Sequence, residues 1–134
     1  MIIINKLQKA VYDCLKSQNS QNFQKLTGIF NYIEKNSSFP YIFITTKDFK
    51  DISTYSKKIY TCSLIINIYE ENTTNGFVIN LANEIKEIFS NILYFSMDEY
   101  ELIDLEYLNF NILLENNNKI WNGELIYNTI IRKK

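Results

Sequence analysis

A chain of 134 residues that is 46% apolar is long enough, and apolar enough, to close one core without disulfide staples, so a single domain over 1–134 is expected. Its net charge of −1, with lysines and acids interleaved, makes no field that would draw in nucleic acid or an anionic membrane. With no histidine, two distant cysteines and three glycines, it lacks the usual general base, a zinc ligand set, a Cys-His pair and a phosphate-cradling loop. No catalytic centre, cofactor or metal site is therefore expected.

The opening Met-Ile-Ile-Ile-Asn-Lys has no basic region ahead of its short apolar run, and no run approaches the roughly 20 apolar residues that span a bilayer. The expectation is a soluble, intracellular chain. Leu7, Ala10, Val11, Cys14 and Leu15 then recur at helical spacing and predict a helix over about Ile3 to Ser17, with Asn5 as a candidate cap. Phe23 and Leu26 are expected to pin the following polar connection to the core. Gly28 opens a short strand-like run through Ile33, which Asn36, Ser37 and Ser38 end. Pro40, which lacks a donor, suits the start of the strand Tyr41 to Thr46.

Thr45 to Lys57 reads as a long polar connection, and Phe49, Ile52 and Tyr55, spaced by three, as one helical turn within it. These aromatic and aliphatic side chains either anchor the loop or meet a partner. Ile59 to Tyr69 is the clearest strand. Tyr60, Cys62, Leu64, Ile66 and Ile68 form its core face, and the other face is mixed. Cys14 and Cys62 read as reduced core thiols, with a disulfide between them as the alternative.

The clearest helix follows, about Asn75 to Asn91, with Phe77, Val78, Leu81, Ala82, Ile85, Ile88, Phe89 and Ile92 in one stripe. Tyr94 to Glu101 is a connection. Leu102 to Leu114 alternates in one phase up to Tyr107 and in the other from Leu108, which demands a bulge or two strands meeting. Asparagines between Glu115 and Lys119 make a turn, and Ile120 to Ile131 returns as a hairpin partner. Arg132, Lys133 and Lys134 read as a solvated tail. The fold class is α+β: an antiparallel sheet of four to five strands with two helices on one face, in the order α-β-β-(β)-α-β-β.

That order resembles the tail-completion or tail-terminator proteins of tailed phages, including those of phage-derived particles such as prophages and gene transfer agents. The pieces that carry the resemblance are Leu7-Gln8-Lys9-Ala10-Val11-Tyr12, Phe39-Pro40-Tyr41-Ile42-Phe43-Ile44, Leu64-Ile65-Ile66-Asn67-Ile68-Tyr69, Leu102-Ile103-Asp104-Leu105 and Trp121-Asn122-Gly123-Glu124-Leu125-Ile126-Tyr127. It implies a structural protein, not an enzyme. Copies would form a ring, six-fold in the family, on the head-proximal end of the tail tube, with the tube protein and the head-tail connector as partners. They would be made in the cytoplasm of a bacterial host and end in the tail of the particle. By position, Lys47, Asp48, Phe49, Lys50 and Asp51 are the expected protein interface.

Two other readings stand beside this one. A small adaptor or antitoxin-like module of α+β fold would bind a partner by its mixed strand face or a sheet edge. An enzyme would draw on Asp98, Glu99, Glu101, Asp104 and Glu106, of which Asp104 and Glu106 alternate onto one face and suit a hard cation. The plainer reading of those acids is a solvated strand face.

Overall fold

The computed structural model describes residues 2–31, 38–71, 74–91, 95–115 and 119–134. Its elements are α1 (Ile2–Lys16), α2 (Gln21–Gln24), β1 (Gly28–Phe30), β2 (Tyr41–Asp51), β3 (Ile59–Glu71), α3 (Gly76–Ile88), β4 (Tyr100–Glu115) and β5 (Ile120–Lys133). The five strands form one sheet in the order β1-β2-β3-β5-β4. The class is α+β, as expected, but the sheet is mixed. β1 runs parallel to β2, whereas the other neighbouring pairs are antiparallel.

α1 forms because its apolar residues share a face. Ile3, Leu7, Ala10, Val11, Cys14 and Leu15 are all buried. It starts at Ile2, so Asn5 lies inside the helix and does not cap it. The unexpected third helix, α2, is one short turn set by Ser20, whose Oγ accepts from the Phe23 amide at 3.4 Å. Glu84 on α3 fixes that turn by accepting from Asn22 Nδ2 at 3.2 Å, and Phe23 is buried as expected. β1 keeps only Gly28 to Phe30 of the expected run, whose last residues lie outside those described. Pro40 immediately precedes β2, joined to Phe39 by a cis peptide bond.

α1 packs on β1 and β2, and α3 packs on β3 and β5. Beneath them lie Ile42, Ile44, Leu64, Ile66, Ile68, Leu125, Tyr127 and Ile131, all fully or almost fully buried. Burying each such side chain contributes about 1.5–3 kcal/mol before entropy is counted. Cys14 and Cys62 are free, buried thiols, so the disulfide alternative is not what forms. On the opposite face Tyr41 stacks on Tyr69 with ring centroids 5.0 Å apart. Ile65 and Asn67 are also buried there, although among the described residues no helix packs on that side.

The phase slip near Tyr107 is a bulge. Register shifts fall between Tyr107 and Asn109, and again between Leu102 and Asp104, leaving Leu108 and Ile103 without partners on β5. β5 runs on to Lys133, whose amide donates to the Lys58 carbonyl at 3.0 Å. Arg132 and Lys133 are thus strand residues and not a solvated tail, and Arg132 pairs with Glu101 on β4.

Candidate assembly surface

The expected connection from Thr45 to Lys57 is mostly strand. β2 continues to Asp51 because a bulge absorbs one residue: Lys47 pairs with Ser63 and Lys50 with Thr61, so Asp48 and Phe49 together oppose Cys62. Asp48 takes the left-handed conformation, φ 57°, which its short polar side chain tolerates. The true turn is 52–58, closed by Ile52 N donating to Ile59 O at 2.9 Å and Thr54 N to Lys57 O at 2.9 Å. There is no helical turn at Phe49, Ile52 and Tyr55.

The bulge sorts the five expected interface residues into different environments. Phe49 turns to the helix side and stacks on Tyr60, ring centroids 5.8 Å apart, so it is an anchor packed on the core. Asp51 caps the turn by accepting from Ser53 N at 2.9 Å, and those Ser53 bonds hold its carboxyl below the usual carboxylate range. Lys47, Asp48 and Lys50 are exposed. Asp48 and Lys50 line an open cleft of about 440 Å³ on the helix-free face, together with Asp104, Glu106 and Asn128. Asp104 and Glu106 do share that face, since they pair with Ile130 and Asn128. Both are exposed, and among the described residues no group of three or more potential ligands is placed to hold a metal ion.

A second surface was not signalled by any one motif. Five of the large apolar side chains left exposed lie on β4: Ile103, Tyr107, Leu108, Leu113 and Leu114, between 39% and 48% exposed. The cause is geometric. Helices pack about 8–10 Å apart and strands about 4.8 Å apart, so two helices cover roughly four strands. Here they cover β1, β2, β3 and β5, and β4 projects beyond the helix layer. Lys86 reaches over from α3, its Nζ 4.1 Å from the Tyr107 ring centroid, while Leu102, Leu105 and Phe110 of β4 still pack against the core. The signal in the sequence was the phase slip, which put apolar residues on both faces of one strand.

At the opposite edge, α1 and β1 enclose a groove of about 410 Å³, with Tyr12 and Ile29 in its wall and Lys9 and Lys16 on its rim. Lys9 pairs with Asp13 at 2.7 Å, while Lys16 is exposed with no acid beside it among the described residues.

No family model matches the sequence, and no curated protein matches it. Among solved structures, a chain in the virion of a native gene transfer agent particle superposes with TM-score 0.83 at 13% identity, covering 97% of both chains. The two chains share one fold. No helix among the described residues is long and apolar enough to cross a membrane.

Proposed function

We propose that this chain is a structural protein of a tailed-phage-like particle, acting as the terminator that forms a ring on the head-proximal end of the tail tube and joins it to the head connector. The observation that carries this reading is the end-to-end fold match to a gene transfer agent virion chain. The order and spacing of the sequence pieces support it independently. A terminator needs contact surfaces and no chemistry. The exposed acids and lysines of the β2 bulge, the helix-free sheet face and the projecting β4 supply such surfaces. Lys47, Asp48 and Lys50 are the residues of the bulge free to meet the tube, whereas Phe49 and Asp51 hold the hairpin that presents them.

Deleting the gene from its particle-producing host is the test. Tails of uncontrolled length without heads, restored to normal by the wild-type chain, are the expected result. Full particles made in its absence would overturn the reading. The adaptor reading is favoured by one observation, the free edge of β4, but the two bulges interrupt the ladder that an added strand would need. A stable one-to-one complex with a protein unrelated to the tail would favour that alternative.

A further inference from the structure

Two rows of side chains cross the helix-free face with a base at one end and an acid at the other. Lys47 pairs with Ser63, Ser63 with Asn128, and Asn128 with Glu106. One step along the strands, Lys50 leads through Thr61 and Ile130 to Asp104. Residues directly opposite on antiparallel strands point to the same side, so all four charged side chains share one face. It is the face away from the helices, because Cys62 and Leu64, which alternate with Thr61 and Ser63, belong to the core. All four are exposed, and the ion pairs among the described residues involve none of them. Asp48 lines the same cleft and offsets one of the lysines, which leaves the β2 end basic and the β4 end acidic.

The charges lie at the margins of the face. β1 pairs only with Tyr41 to Phe43, so nothing flanks Lys47 and Lys50 on that side of the sheet, and β4 is the opposite edge. Between the margins, in the adjoining row, Ile65 pairs with Ile126. An apolar centre with a charged rim is the anatomy of a protein interface. A two-fold axis along the strands, set over the junction of β3 and β5, exchanges the ends of every row and keeps its height. It brings Lys47 against Glu106 of a second copy and Lys50 against Asp104 of that copy, and both contacts occur twice. Ile65 then meets Ile126 of the second copy, and the half-buried Glu124 comes over its Asn67. The same rotation carries a twisted sheet onto a parallel copy of its own surface, so the faces keep the spacing of about 10 Å usual for stacked sheets. An extended lysine and an opposing carboxylate close that gap. Four strands about 4.8 Å apart, over about ten residues at about 3.3 Å each, make roughly 600 Å² per copy, at the lower end of what a specific pair buries.

We propose that two copies of this chain pair through their helix-free faces about this axis, held at both margins by contacts between lysine and carboxylate. Such a contact is isologous and closes at two copies, so it is distinct from the contact that closes a ring. It covers Lys47, Asp48 and Lys50, the residues assigned above to the tube. Pairing and tube binding therefore exclude each other, and the pair withholds the chain until a tube end displaces one copy. That consequence rests on the terminator reading, whereas the pairing itself does not.

Two double variants test it, one carrying Lys47→Glu and Lys50→Glu, the other Asp104→Lys and Glu106→Lys. All four side chains are exposed, and circular dichroism checks that each variant is folded. Sedimentation across a concentration series reads the number of copies. The wild-type chain should run as a pair. Each variant alone should need on the order of a hundredfold higher concentration to pair, because like charges then face each other at both margins. An equimolar mixture should pair as wild type does, since each variant then meets its opposite. If either variant alone pairs like wild type, or the mixture stays monomeric, the contact is wrong. A wild-type chain still monomeric at millimolar concentration overturns it, as does growth past two copies that the same charge changes abolish. Capping of purified tail tubes is scored separately. The variant with Asp104→Lys and Glu106→Lys keeps its bulge and should cap tubes at lower concentration than wild type, and equal capping would overturn the exclusion. Pairs whose copies never cap tubes remove the terminator reading alone, and capping by a chain that never pairs removes the pairing alone.

Discussion

At Gly123 the sheet and α3 meet with no room for a methyl group. A Cβ there would lie 2.4 Å from Val78 Cγ1 and 3.1 Å from the Phe110 ring, and the backbone φ is not positive, so the constraint is steric. Gly123→Ala should destabilise the fold by about 1–3 kcal/mol in urea titration. Adding Val78→Ala should relieve the clash, so the double variant should be more stable than the two single effects added together. Burial also sets the alkaline limit. It pushes the Cys14 thiol up to about 11 and the Tyr69 hydroxyl up to about 12, the latter with help from Glu115, and it raises Cys62 and Tyr127 as well. In each case the folded chain keeps a proton that the unfolded chain gives up at about pH 8.5 for Cys and about pH 10 for Tyr. Stability should therefore hold below about pH 8.5 and fall as pH rises toward those higher values. Urea midpoints at neutral pH and at two alkaline points check the sign, and a midpoint that rises with pH would contradict it.

At the scale of elements, α3 braces the sheet and the β2–β3 tip does not. Leu81, on the inner face of α3, is fully buried, so Leu81→Ala should cost about 2–5 kcal/mol. Tyr55 at the tip is fully exposed, and Tyr55→Ser should change stability by less than about 0.5 kcal/mol. Parallel chemical denaturation of the two variants separates brace from tip. Lys50 sits between them, on the strand side of the bulge. Lys50→Glu should leave the denaturation midpoint near that of wild type and reduce the yield of head-joined tails in complementation. Normal yield from that variant would remove the bulge from the interface. Phe49 is the counter-case: its ring supports Tyr60, so Phe49→Ala should lower stability first and assembly only as a consequence.

For the whole molecule, the central fact is that two helices cover four of five strands. The outer strand, β4, leaves Ile103, Tyr107, Leu108, Leu113 and Leu114 exposed beside Asp104 and Glu106. Association that uses the exposed charges should weaken with salt, because such charges are screened beyond about 8 Å at physiological ionic strength. Sedimentation at low and high salt should show smaller species at high salt. Insensitivity to salt would point to apolar contact alone.

Local patterns in the sequence determined α1, α3, β3 and β5 to within a few residues, because a buried stripe or alternating face repeats with the period of its own backbone. The slip of phase at Tyr107 marked the β4 bulge for the same reason. What a pattern cannot carry is the identity of the neighbour. β1 is a strand only because Gly28 to Phe30 pair with Tyr41 to Phe43. β2 reaches Asp51 only because a bulge opposite Cys62 restores its register with β3. Arg132 and Lys133 are strand residues because β4 continues beside them. The Lys47 to Asp51 stretch was legible as polar and exposed, but the sorting of Phe49 inward and of Asp48 and Lys50 outward came from that bulge. The apolar edge was hidden for a related reason. Alternation reads the same in a central strand as at an edge, and only the sheet order, with β5 inserted between β3 and β4, puts β4 at the margin of the helix layer with Leu108, Leu113 and Leu114 exposed.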